Sequence, residues 1–218
     1  MTPQPPAQPV SPRTHPRRRW QRTVVRSVAA ALLAPTVVLG GIYAHWDLRE
    51  RRLVTIAPGT AYQSAAMPAA QLLATVEELH LRTVIDLRDT EPELVAAERD
   101  ALHAVQVEHR HVPMPQEPTA DDLCRFFAAV DAATPPILVH CKHGEGRSVL
   151  LSALYRIERS GWSNDAAWQG TARLPDSLRF LRRLWPGLRC FSPSSTKGRM
   201  VLDHVPTAQR HADAESGK

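Results

Sequence analysis

"ILVHCKHGEGRSVL", residues 137–150, is the stretch on which the reading of this chain turns. The apolar run Ile137-Leu138-Val139 has the pattern of a short buried strand. It leads into His140-Cys141 and a loop holding Gly144 and Gly146, which ends at Arg147-Ser148. Ser148–Ser160 then carries apolar residues at helical spacing and stops at Gly161. A thiol therefore stands at a strand tip, facing the start of a helix, with a guanidinium on the same loop.

Those residue types in that order suit phosphoryl transfer. Backbone N–H groups of Lys142, His143, Gly144, Glu145 and Gly146 can turn inward to form an anion nest, since glycine tolerates the tight turn. The helix start adds positive potential at the same place. Arg147 can grip two phosphate oxygens at once, which lysine does less well. In such a field a cysteine pKa falls from about 8.5 towards roughly 3.5–7.5, so thiolate predominates. Cys141 is then a nucleophile aimed into a phosphate cradle, and Ser148 is placed to hydrogen-bond the sulfur and assist its departure. A structural thiol, the ordinary fate of a free cysteine, needs none of this.

Outward from the loop, short apolar runs alternate with amphipathic ones. "TVIDL" (83–87) reads as a buried strand between helical stretches near 69–79 and 92–105. "VEHRHVPM" (107–114) alternates as a strand does, and 119–133 reads as a helix capped by Thr119. Helical pieces follow around 164–171 and 177–184, and the chain after Cys190 reads as a loose tail. The alternation predicts an α/β fold, a central mostly parallel sheet flanked by helices, with the loop at the sheet's carboxyl edge.

The net charge of +5 is unevenly distributed. Residues 1–52 hold nine Arg against two acids, and the remaining 18 Lys/Arg face 20 acids, which leaves the folded part without the basic face that nucleic acid requires. Residues 1–26, Pro-rich and basic, read as a disordered tail. "SVAAALLAPTVVLGGIYAHW" (27–46) is uncharged and long enough to cross a hydrocarbon core, with Tyr43 and Trp46 where an interfacial belt belongs. Arg13, Arg17, Arg18, Arg19, Arg22 and Arg26 precede it, which predicts a retained single-pass anchor with the domain on the non-cytoplasmic side. A cleaved signal peptide and a buried helix are the alternatives. The domains expected are the tail 1–26, the transmembrane anchor 27–46, a catalytic domain over 53–190 and a flexible tail over 191–218.

"HCKHGEGRS" resembles the signature of the cysteine-dependent tyrosine and dual-specificity phosphatases. "IAPGTAYQSAAMP", "LRTVIDLRDTEPE" and "EHRHVPM" resemble, in order, the first strands of bacterial members. The resemblance implies a dual-specificity phosphatase-like fold and hydrolysis of phosphotyrosine, with phosphoserine or phosphothreonine besides, through a phosphocysteine. It gives His140 a supporting role inside the core. Family members carry Gly after the Ser/Thr, where this chain has Val149, and an Asp general acid ahead of the helix before the catalytic strand. Here that loop reads "VPMPQEPTADDL" (112–123), and Glu117 is the first candidate, with Asp121 and Asp122 behind it as helix N-terminal acids.

Lys142 directly after the nucleophile resembles phosphoinositide-type enzymes, which makes a lipid or inositol phosphate the alternative substrate, although Glu145 would repel a polyanion. A phosphate-binding module without turnover and a rhodanese-like sulfur carrier are further alternatives. The expected partners are a phosphorylated protein or lipid and the membrane. No cofactor or metal is called for; His109, His111 and His140 lack a completing ligand at metal spacing. Cys124 is expected on the apolar face of its helix; Cys190 could protect Cys141 by reversible disulfide formation, although nothing in the sequence places it nearby; Trp162, Trp168 and Trp185 are expected in the core.

Overall fold

The computed structural model describes residues 16–183 and 186–207, which fall into two units dividing after Ile42. The expected tail over 1–15, Trp185 and residues 208–218 lie outside the described residues. Helix α1 spans Pro16–Leu48, so the stretch 16–26 is helical rather than part of an irregular tail. Within it Val24–Leu48 is long and apolar enough to cross a membrane, and Leu32, Leu33, Val37 and Val38 are exposed.

Trp46 departs from its expected place in an interfacial belt. It is 4% exposed within the folded unit, and its indole N–H donates to the Leu53 carbonyl at 2.9 Å. A buried indole needs such an acceptor, and the turn at 49–52 supplies it by folding the chain back on the helix end.

The folded unit is built on a five-stranded sheet. Strands β1 (Val54–Ala57) and β2 (Ala61–Ala65) form an antiparallel hairpin that sequence patterning does not delimit. Strands β3 (Thr83–Asp86), β4 (Glu108–His111) and β5 (Ile137–Cys141) complete the order β1-β2-β5-β3-β4, with β5 parallel to both its neighbours. As the central strand β5 is covered on both faces, which is why it reads as a continuous apolar run.

Alternate residues serve two cores. Leu138 and Val84 face α2 (Ala69–Leu79) and α3 (Pro92–Ala104), meeting Leu72 and Leu102. Val139, Ile85 and Ile137 face the opposite side, where α5 (Arg147–Ser160) buries every residue from Arg147 to Ile157. Helix α4 (Ala120–Asp131) starts in a capping box: Thr119 Oγ1 accepts from the Asp122 N–H, and the Asp122 carboxylate accepts from the Thr119 N–H at 2.7 Å. Its buried stripe runs through Phe126, and Cys124 lies off that stripe and is exposed, against expectation. Trp168 of α6 (Asn164–Gln169) is buried and donates to the Phe191 carbonyl; Trp162 is half-buried beneath the Arg156 guanidinium.

The segment after Cys190 is not a loose tail as far as it is described. Phe191 and Val201 are buried in the main core, and residues Thr196–Leu202 form α7, capped by Ser195. Gly198 permits this: a Cβ there would stand 1.9 Å from the Ser192 carbonyl oxygen. A seven-residue helix with two buried positions leaves too short a periodic signal to be read from sequence.

Candidate active site

Strand β5 ends at Cys141 and α5 begins at Arg147, so the loop between them is clamped at both ends by buried elements. Gly144 fixes its course. Its φ is +66°, and a Cβ would stand 2.8 Å from the Ala65 nitrogen on β2, so only glycine satisfies both the turn and the approach. Gln63, buried on the same strand, donates from Nε2 to the Gly144 carbonyl at 3.3 Å, which keeps that oxygen engaged behind the loop.

The Cys141 thiol is 3% exposed, with the Ser148 hydroxyl 3.3 Å from its sulfur. Burial pushes the thiol pKa up. The Ser148 hydroxyl and the backbone N–H groups of Ser148, Gly144 and His143 outweigh it and hold the pKa below the ordinary value. The amides that steady the thiolate are those of a nest that would meet a bound oxyanion.

Arg147, also 3% exposed, is held by one end of its fork. Nη1 donates to the Leu87 carbonyl at 3.0 Å, the Met114 carbonyl at 2.7 Å and the Asp89 carboxylate at 2.6 Å. The other edge of the guanidinium keeps Nε and Nη2 for a ligand, the bidentate geometry that suits phosphate. Asp89, just beyond β3, is a positioning residue that sequence reading does not single out.

Beneath the loop lies a buried polar network. Arg88 donates to Asp86 through Nε and Nη2, the latter at 2.7 Å, and Nη2 also reaches Glu98 at 2.7 Å. His140 Nε2 lies 2.7 Å from Glu98 Oε1, and His109 Nε2 lies 3.5 Å from Glu98 and 3.7 Å from Asp86. Burial pushes the His109 pKa down, but the two carboxylates raise it to about 9. Burial likewise opposes ionisation of Glu98, yet His109, His140 and Arg88 hold it at about 2. Asp86, Glu98 and His140 bring ligand atoms within 4.8 Å of one another. Both carboxylates are already engaged by Arg88, so the cluster reads as a charge-balanced support for His140. A charged residue inside the buried run "TVIDL" was the sequence signal for it, since such a carboxylate must have partners.

A cleft of about 350 Å³ opens over the loop, and Gln116, Glu117, Cys141, His143, Glu145, Gly146 and Arg147 line it from the expected regions. Glu117 is thus brought to the nucleophile's cleft, whereas Asp121 is exposed outside it and Asp122 is spent on the capping box. Lys142 turns away and pairs with Glu91 at 2.6 Å. Glu145 pairs with Arg52 and stands 3.9 Å from Arg173, so its charge is compensated. The far wall is formed by Arg173, Cys190, Phe191, Ser192, Ser195, Thr196 and Lys197, none of which sequence position places there; of these only Cys190 enters the sequence reading as a partner for Cys141. Cys190 thereby shares the cleft with Cys141. Burial raises its thiol pKa, so it is the less reactive of the two.

Comparison with known proteins agrees with this geometry. Two curated relatives, the dual specificity protein phosphatases TpbA of Pseudomonas aeruginosa strains UCBPP-PA14 and PAO1, are 31% identical over 119 residues and 32% over 112. These matches cover 52% and 50% of this chain and 50% and 48% of the relatives, so the chain spans about half the length of the curated relatives it matches. Among solved structures, the core catalytic domain of the PP-IP phosphatase SIW14 from S. cerevisiae, in complex with citrate, shares the fold. Its TM-score is 0.53 at 16% identity, over 76% of this chain and 92% of that one. The family model for a DSP-PTPase phosphatase fused to NAD+ kinase matches residues 64–180, from β2 through the nucleophile loop and beyond α6, and the chain belongs to that family.

Proposed function

We propose that this protein hydrolyses phosphomonoesters, phosphotyrosine first and phosphoserine or phosphothreonine besides, through a phosphocysteine intermediate. The observation that carries the reading is the pairing of a thiolate-stabilised Cys141 with an Arg147 whose Nη1 is fully spent on the protein. The Cys141 sulfur attacks phosphorus in line, the bond to the leaving oxygen breaks, and Glu117 gives that oxygen its proton. Water then attacks phosphorus, its proton passes to Glu117, and the P–S bond breaks. Sulfur leaves as thiolate, accepting the Ser148 hydroxyl. The nest and Arg147 hold the equatorial oxygens throughout.

Turnover of p-nitrophenyl phosphate, measured with a chelator present and beside Cys141→Ser, tests this. Turnover that disappears in the variant is the expected result; turnover that survives in it overturns the mechanism.

A second reading, an inositol or lipid phosphate as substrate, is favoured by the compensation of Glu145 by Arg52 and Arg173, which removes the repulsion a polyanion would otherwise meet. Comparing a phosphotyrosine peptide with inositol polyphosphates at matched concentration separates the two.

The apolar stretch of α1 supports a retained membrane anchor, and the arginines before it support a non-cytoplasmic domain. A fusion reporter active on one side of the membrane checks the orientation, and activity only in the cytoplasm would reverse it.

A further inference from the structure

Lys197 stands at the first turn of α7, beyond residue 180 where the family match ends. Its Nζ lies 3.4 Å from the position a Cβ would take on Gly146, so the ammonium rests against the inner face of the nucleophile loop. Gln116 Oε1, 3.7 Å from the same point, borders that spot from the other wall.

The cations around it have partners elsewhere: Lys142 has Glu91, Arg52 has Asp47 and Glu145, Arg173 has Cys190 with Glu145 3.9 Å away, and the Nη1 of Arg147 has Asp89. Among the described residues Lys197 has no hydrogen-bond or ion-pair partner. It feels the charges of Glu117, Arg147 and Cys141, the three groups of the proposed chemistry. Burial, then the repulsion of Arg147, brings its pKa below the ordinary lysine value against the attraction of Glu117 and Cys141. A half-buried ammonium that lines the cleft with no group bonded to it, near Glu117 but not paired with it, leaves its N–H donors for an anion.

We propose that Lys197 is a substrate ligand, donating from Nζ to an oxygen of the phosphate seated in the nucleophile loop. This rests on the phosphatase reading for the identity of the anion. A phosphate dianion beside a thiolate places about three negative charges in one small bowl, and Arg147 with the amide nest covers one face of it. Lys197 supplies a further positive charge from the opposite wall, at the point where that wall meets Gly146 of the loop. Its lysine chemistry fits the position: a single mobile point charge can follow the oxygens as phosphorus moves from ester to sulfur, which a pinned guanidinium does not.

Tungstate, which occupies a phosphate site without forming the P–S bond of the intermediate, is the probe. Its binding to the full chain in detergent is measured by calorimetry for wild type, Lys197→Gln and Lys197→Arg, each checked for an unchanged melting transition. Loss of one charge-assisted hydrogen bond corresponds to tungstate affinity and kcat/KM falling about 10- to 100-fold in Lys197→Gln. Lys197→Arg should recover most of both. Tungstate affinity within about twofold of wild type in Lys197→Gln overturns the proposal, whatever the variant's turnover. Weakened tungstate binding in a protein that shows no turnover would leave Lys197 as an anion ligand and overturn the phosphatase reading instead. If Lys197→Gln does not fold, Lys197→Arg and Lys197→Met measured at low temperature decide the matter, equal affinities overturning it.

Discussion

The Ser148 hydroxyl lies 3.3 Å from the Cys141 sulfur, at the first turn of the helix that the nucleophile loop enters. Among the groups that hold the thiol below its ordinary pKa it contributes most, ahead of the backbone amides of Ser148, Gly144 and His143. Ser148→Ala should therefore raise the Cys141 pKa. The thiolate is present above the folded-state pKa and lost as pH falls through it, so the acid limb of the kcat/KM profile should move to higher pH. The dephosphorylation step should also slow, because departing sulfur loses its donor. A pH profile on p-nitrophenyl phosphate, with burst kinetics, checks both; an acid limb that stays in place would assign the shift to the amides alone.

Asp89 bonds Arg147 from a half-exposed position, while Leu87 and Met114 hold the same nitrogen with carbonyls. Asp89→Asn should leave the guanidinium in place but less firmly aimed. A loss of about 3- to 30-fold in kcat/KM is expected, appearing in KM and in oxyanion affinity together. A change confined to the melting temperature would make Asp89 merely structural.

Glu117 is the carboxylate that the loop ahead of α4 delivers to the cleft. A general acid matters in proportion to how poorly its leaving group departs. Glu117→Gln should slow alkyl phosphates by about 100-fold or more and p-nitrophenyl phosphate much less. Equal effects on both substrates would remove it from the mechanism.

His109 carries a pKa raised to about 9 by the Asp86–Glu98 pair. Against an unfolded value near 6.5, the stabilisation is fully present below about pH 6.5 and is lost as pH rises through 9, with a ceiling of roughly 3 kcal/mol. Glu98, held at about 2, works in the other direction: its contribution is present above its unfolded value and lost on strong acidification. Denaturant titrations at pH 6, 7.5 and 9.5 should show falling stability, with a smaller fall in His109→Gln. An unchanged slope with pH in the variant would place the titrating group elsewhere.

The nucleophile loop could be read almost whole from the chain because its chemistry is local. Cys141, Arg147 and Ser148 lie within one strand-loop-helix unit, and the spacing of that unit fixes their geometry. α2 and α4 were equally legible, the first from its apolar period and the second from the Thr119 cap. What stayed hidden depends on distant contacts. Asp89 matters because β3 runs beside β5, and the Asp86–Arg88–Glu98 network because α3 packs across the strand ends. Cys124 was misplaced by a single helical position, which is enough to turn a side chain by about 100°. Lys197 left no signal, since its helix is too short to show a period and its charge in a polar stretch looks like ordinary solvation.

Gly198 carries a consequence for how this active site can be lost. The neighbour of Lys197 approaches the Ser192 carbonyl so closely that even one methyl group has no room. Gly198→Ala would leave the nucleophile, its serine and its arginine untouched, yet it would prise α7 from its seat and withdraw the ammonium from the bowl. On the proposed role of Lys197, the competence of the loop at 141–147 would depend on an absent side chain some fifty residues later, in a part of the chain that carries no motif.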